Sequence, residues 1–258
     1  MLGLPDHIQA FLFDLDGVLT QTAKVHAAAW KDMFDTFLRA ESARSGGEFV
    51  PFDPAADYDT YVDGRPRLDG TRTFLAARGI VLPEGGPDDR PGSRTVQGLS
   101  NAKNDTVLRM IKEQGVQPYP GSVAYLHRLR ELGLPRAVVS SSNNCRDVLR
   151  AAGIDELFDV VIDGLVAARD HLPGKPAPDT YLAAAKALGT EPGNAAVFED
   201  ALAGVASGRA GGFGTVVGVN RTGQAQALRE HGADLVVDDL AELIEGQQDG
   251  QDGQEDAR

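Results

Sequence analysis

Short apolar segments alternate with helical patterns along most of this chain, and that alternation limits the folds open to it. Residues 10–14, 135–141, 159–162, 195–198, 215–219 and 235–237 each read as a strand, carrying runs such as Ala195-Ala196-Val197-Phe198 and Thr215-Val216-Val217-Gly218-Val219. Helical spacing fills residues 143–152, 179–188 and 201–209 between them. Strands apolar on both faces and separated by helices belong to a parallel sheet covered on both sides. The expected fold class is therefore α/β, with a Rossmann-like parallel sheet core.

Residues 23–111 break the pattern. They carry no strand signal, and helical spacing runs through 23–43, 68–78 and 101–113 between Pro- and Gly-rich loops at 49–57 and 83–98. This stretch reads as an α-helical cap domain inserted after the first strand, with candidate hinges near residues 20–22 and 115–119. The domain assignment is residues 1–22 and 112–245 for the core and 23–111 for the cap. Residues 246–258 are polar, Gly-rich and acidic, and a disordered tail is expected there.

The chain has 258 residues, 42% of them hydrophobic, enough to build a core. Its net charge of −13 argues against nucleic acid and against anionic membrane surfaces, because both demand a basic footprint. No apolar run reaches the length of a membrane span, and the first residues lack a basic region followed by an apolar one. The single cysteine, Cys145, cannot form an intrachain disulfide, which suits a reducing cytoplasm. Cys145 stands at a helix start, which could lower its pKa, although a small buried residue is the better reading. A cytoplasmic monomer is expected.

The signals that carry chemistry fall at strand ends, where open α/β sheets bind ligands. The first strand runs into Asp14-Leu15-Asp16-Gly17, and two-residue spacing puts both carboxylates on one side of a strand. A divalent cation or one protonated carboxyl would make that pair tolerable. A solvated strand end is the plainer alternative for a lone pair of this kind. Ser140 and Ser141 end another strand, where hydroxyls and helix-start amides can hold a phosphoryl oxygen or simply cap the next helix. Gly174-Lys175-Pro176-Ala177-Pro178 fixes a lysine in a stiff loop before a helix. Glu199 and Asp200 end a further strand and, with the first aspartates, make an oxygen-rich pocket suited to magnesium. The glycines at 204, 208, 211, 212 and 214 lack the spacing of a dinucleotide loop and read as close packing and a helix stop.

In this order, the D-x-D-G, strand-end serine, G-K-P and E-D signals resemble the haloacid dehalogenase superfamily, and the inserted helices resemble its subgroup with an α-helical cap. The match is nearest to the β-phosphoglucomutase-like branch, through Thr22, His26 with Trp30, Gly64 to Asp69, Lys103 to Asp105 and Asn144. The resemblance implies that Asp14 is the nucleophile, forming an aspartyl-phosphate, and that Asp16 is general acid and base. It implies magnesium on the Asp14 carboxylate, the Asp16 main-chain carbonyl and Asp200, with Glu199 close by or ligating. Ser140, Ser141 and Lys175 would bind the transferring phosphoryl group. Arg67 would grip a second phosphate, and Thr22, His26, Trp30, Gly64, Lys103 and Asn144 would serve the sugar or the cap. Trp30 lies one helical turn from His26, and core packing suits it as well as sugar stacking does. The chain departs from the branch at Gln21, where an acidic residue is usual, and at Asp63, where a lysine is usual.

The expected substrate is a small phosphorylated sugar, with a hexose 1,6-bisphosphate as activating intermediate. Two enzymatic functions follow, differing in the group that receives the phosphoryl. A sugar hydroxyl makes the enzyme a mutase of hexose 1- and 6-phosphates, and water makes it a phosphatase. A non-enzymatic binding protein on the same fold would show the loss of a core residue, and none is lost.

Overall fold

The computed structural model describes residues 2–245, so the tail at 246–258 lies outside the described residues. The chain divides into two compact units, one formed up to Gln21 and from Gln117 onward, the other by Thr22–Val116. Thr22 opens the first helix of the second unit, where His26 N donates to its carbonyl at 2.9 Å. The second crossing falls later than residue 111 because the third helix continues to Gln114 and stops at Gly115, whose φ of 72° few other residues adopt.

The chain opens with β1 (Ala10–Phe13) and then forms the helical unit from α1 (Ala23–Ser45), α2 (Arg67–Ala77) and α3 (Val96–Gln114). Helix α1 buries Ala29, Trp30, Met33, Phe34, Phe37 and Leu38, one stripe at three- and four-residue spacing. That stripe packs on Phe52, Val62, Phe74, Leu75, Val96 and Leu99. The Phe34 ring stacks on Trp30 and on Phe52, each with centroids 5.3 Å apart. Each such aromatic burial contributes about 1.5–3 kcal/mol, so one stripe suffices to seat α1. Helix α3 begins earlier than the spacing suggests, because Thr95 Oγ1 accepts from Gly98 N at 2.9 Å and caps it.

The sheet unit continues with α4 (Pro120–Glu131), β2 (Arg136–Val139), α5 (Cys145–Ala152), β3 (Val160–Ile162), α6 (Gly164–Arg169), α7 (Asp179–Ala187), β4 (Ala195–Glu199), α8 (Leu202–Ala210), β5 (Thr215–Val219), α9 (Ala225–Glu230), β6 (Leu235–Val237) and α10 (Glu242–Glu245). The six strands are parallel in the order β3-β2-β1-β4-β5-β6. Alternate residues cover opposite faces. Ala10, Leu12, Ala137, Val139 and Val197 pack with Tyr181, Ala184 and Val205 on one side. Phe11, Phe13 and Phe198 gather around Tyr125 on the other, the Phe13 and Phe198 rings lying 4.4 Å apart.

Strand order reverses at β1, which pairs with β2 on one edge and β4 on the other. Such a switch point opens a crevice at the carboxyl ends of these strands. Register puts Phe13 level with Val138 and with Phe198, so the residues that follow each strand emerge together. The first strand ends at Phe13 and not at Asp14. Asp14 N still donates to Phe198 O at 2.9 Å, but Asp16 belongs to a turn closed by Gly17 N to Thr20 O at 2.8 Å. Strand alternation therefore does not carry Asp16: Asp14 is buried and Asp16 half-buried.

Candidate active site

Four charged side chains, Asp14, Lys175, Glu199 and Asp200, meet at the carboxyl ends of β1 and β4. Lys175 Nζ lies 2.5 Å from Asp14 Oδ1, 2.5 Å from Glu199 Oε1 and 3.2 Å from the Val139 carbonyl. All three ammonium protons are thus engaged. One carboxylate oxygen from each of Asp14, Glu199 and Asp200 lies within 4.8 Å of the others, and all three residues are buried. The lysine loop is itself tied down: Ala177 N donates to Gly174 O at 3.0 Å and Ser207 Oγ donates to Ala177 O at 2.7 Å.

Two glycines make room for the acids. A Cβ on Gly17 would lie 1.7 Å from Asp200 Oδ2, and a Cβ on Gly204 would lie 1.8 Å from Glu199 Oε1. Gly204 therefore houses a carboxylate in addition to packing α8. Asp200 does not cap α8, whose cap position is Ala201 with no side-chain bond. Burial pushes the Asp14 carboxyl up; the Lys175 ammonium opposes it, while Glu199 and Asp16 add to the rise. Burial works against the charge on Lys175 too, but Asp14 and Glu199 outweigh it and keep the lysine protonated. Three buried carboxylates around one ammonium leave surplus negative charge, and an all-oxygen donor set of this kind fits a hard dication such as magnesium.

The loop after β2 supplies neutral donors. Ser140 is buried, its Oγ accepts from Ser142 N at 3.1 Å, and Asn144 N donates to Ser142 Oγ at 3.1 Å. Ser141 is half-buried in the same turn, and Asn144 stands at the cap position of α5. Cys145 is buried just beyond, and burial pushes its thiol up, the opposite of a helix-start activation.

Tyr181, Arg221 and Gln224 were invisible as site residues in the sequence. The Tyr181 hydroxyl donates to Glu199 Oε1 at 2.8 Å. Arg221 Nε donates to the Gly17 carbonyl at 2.8 Å, and its guanidinium lies 3.6 Å from the Tyr119 ring centroid. Gln224 Nε2 donates to the Asp200 carbonyl at 2.9 Å. A tyrosine on an amphipathic helix reads as core, and Arg221 lies 204 residues from its partner, so no local spacing flags either.

The helical unit gathers a second set. Lys103 on α3 is buried, with Nζ 3.0 Å from His26 Nδ1 and 4.9 Å from the Trp30 ring centroid on α1. Trp30 therefore both packs the core and faces a cation. Arg67, the first residue of α2, hydrogen-bonds the Asn104 side chain through Nη1, while its Nε is buried without a partner. Burial pulls the guanidinium below its ordinary value, and Asp105 acts against that pull. Gly64 turns the chain toward α2 at φ 68°. Thr22 is buried at the start of α1.

Parallel sheet, switch-point acids and lysine loop together define a phosphotransferase-type α/β enzyme. Residues 8–212 match the haloacid dehalogenase-like hydrolases, and the chain belongs to that family. It is 55% identical over 247 residues to the β-phosphoglucomutase of Mycobacterium bovis, covering 95% of this chain and 94% of that one. It is also 32% identical over 243 residues to the validoxylamine A 7'-phosphate phosphatase of Streptomyces hygroscopicus subsp. limoneus, covering 90% and 94%. A solved β-phosphoglucomutase from Clostridium difficile superposes with a TM-score of 0.72 at 26% identity, covering 95% of this chain and 97% of that one. No described helix is long and apolar enough to cross a membrane.

Proposed function

We propose that this enzyme interconverts a hexose 1-phosphate and its 6-phosphate, passing the phosphoryl group through an aspartyl-phosphate on Asp14. The sheet unit is read as the phosphotransferase core and Thr22–Val116 as the substrate cap. The observation that carries the mutase reading is Arg67: a half-buried side chain whose buried Nε has no partner, in the unit that also holds Lys103. A phosphomonoester has one phosphate for the core. A guanidinium in the other unit has a use when the sugar keeps a phosphate of its own while the transferring group sits on Asp14, as in a mutase that passes through a bisphosphate. The 55% identity to a β-phosphoglucomutase supports the same reading.

The chemistry follows from the residues. An Asp14 oxygen attacks phosphorus as the bond to the leaving sugar oxygen breaks, and Asp16 gives that oxygen its proton. In the second half Asp16 takes the proton of the incoming sugar hydroxyl as that oxygen attacks the aspartyl-phosphate, and Asp14 leaves as a carboxylate. Lys175 and Ser140, with the amides around Ser142, neutralise the equatorial oxygens. Asp14 and Asp200, with the Asp16 carbonyl and Glu199 beside them, would hold magnesium, which draws charge off the phosphoryl oxygens. Enzymes accelerate phosphate monoester hydrolysis by up to roughly 10²¹, and general acid–base help supplies only about 10²–10⁴. Charge stabilisation must provide the larger share.

A phosphatase is the second reading, favoured by the 32% identity to a phosphatase of a phosphorylated small metabolite. The core roles are the same and water replaces the sugar hydroxyl. Incubation with β-glucose 1-phosphate, a trace of the 1,6-bisphosphate and magnesium separates the two. Glucose 6-phosphate formed faster than free phosphate supports the mutase. Phosphate release without glucose 6-phosphate moves the assignment to the phosphatase.

A further inference from the structure

Lys175 presents a difficulty for any phosphoryl group it is to hold. Its three protons already serve Asp14 Oδ1, Glu199 Oε1 and the Val139 carbonyl. An ammonium has no fourth donor, so the lysine must release a partner before it can bind a phosphoryl oxygen. Leaving a buried carboxylate without a donor is costly, and Glu199 is fully buried. Yet Glu199 is the acid with donors in reserve. Tyr181 Oη donates to the same Oε1 at 2.8 Å, and Ala201 N donates to Oε2 at 3.3 Å. The absent side chain of Gly204 leaves the carboxylate its room. The Tyr181 ring also lies 5.0 Å from Nζ, a face along which the ammonium can turn.

We propose that Tyr181 is a positioning residue whose hydroxyl keeps Glu199 satisfied while Lys175 turns a proton from that carboxylate to the transferring phosphoryl group. This rests on the assignment of Lys175 to the phosphoryl group. Without the hydroxyl, Glu199 holds the lysine more tightly, and the penalty falls on the transition state, where the lysine must point at phosphorus-bound oxygen. Sugar binding, which Lys175 does not perform, is untouched.

Tyr181→Phe isolates the hydroxyl because it keeps the ring. With β-glucose 1-phosphate, kcat should fall about tenfold, the scale of one hydrogen bond to a charged group, while KM stays within about twofold. Inhibition by orthovanadate, a mimic of the transferring group, should weaken by a similar factor. Lys175→Met is measured beside it. Parental kcat and vanadate inhibition in Tyr181→Phe, with Lys175→Met inactive, would overturn the proposal and leave the lysine's role standing. Full activity in Lys175→Met would overturn both. A loss spread equally over kcat and KM, or one accompanied by a large drop in melting temperature, would mean that the hydroxyl only holds the fold and would also overturn the proposal.

Discussion

The sheet unit gathers acids around one ammonium, whereas the helical unit gathers cations against an aromatic wall and an amide. In the first, Asp14 and Glu199 flank Lys175, with Asp200 close by. In the second, Lys103 faces His26 and Trp30, and Arg67 meets Asn104 with its Nε left over. On the proposed reading the first set would receive a dication and the transferring phosphoryl group and the second an anion, so that reaction and recognition are divided between the units.

Breaking the acidic site should have the largest effects. Asp14→Asn should abolish turnover and the phosphoenzyme, because an amide is a poor nucleophile. Intact-protein mass spectrometry after exposure to the bisphosphate checks this, and residual aspartyl-phosphate would remove Asp14 from the role. Asp16→Asn should still accept a phosphoryl group from a reactive donor such as acetyl phosphate, but sugar turnover should fall by about 10² or more. Near-normal sugar turnover would end its assignment as the acid. Gly17→Ala is expected to act less completely. Its φ of 88° costs an L-residue about 1–2 kcal/mol, and the added methyl meets Asp200. Melting temperature should drop and magnesium affinity, read by calorimetry, should weaken; parental values of both would show that the turn adapts.

The smallest effect belongs to the surface of the helical unit. Arg94 and Arg44 hold the Glu41 carboxyl down at about 2, from an ordinary 4.5. The folded chain thus resists a proton that the unfolded chain binds, so this contribution is complete above about pH 4.5 and is lost as pH falls toward about 2. Surface pairs contribute little. Glu41→Gln should lower the melting temperature only slightly at neutral pH, and the difference from the parent should vanish near pH 2. A gap that widens on acidification would contradict the assignment.

These two regions were not equally legible. Strand β5 coincides with its apolar run, because residues buried on both faces leave a continuous signal. Lys175 was visible through its glycine and prolines, and Asp14 through the charge that interrupts an apolar run. Helix α4 was not, since it starts at Pro120-Gly121, a turn signal, and its apolar positions are separated by Arg128 and Arg130. Tyr181 and Arg221 were hidden for a different reason. Their roles depend on partners brought near by the sheet's strand order, which no local pattern encodes.

The division of labour rests most directly on Arg67. Losing a hydrogen bond from a charged group typically costs about 1.5–3 kcal/mol, roughly ten- to a hundredfold in rate. Arg67→Ala should therefore lose that much turnover with hexose phosphates while hydrolysing p-nitrophenyl phosphate, which has no second phosphate, within about twofold of the parent. Equal activity of variant and parent on both substrates, or an equal loss on both, would contradict a cap cation reserved for the phosphate that does not react.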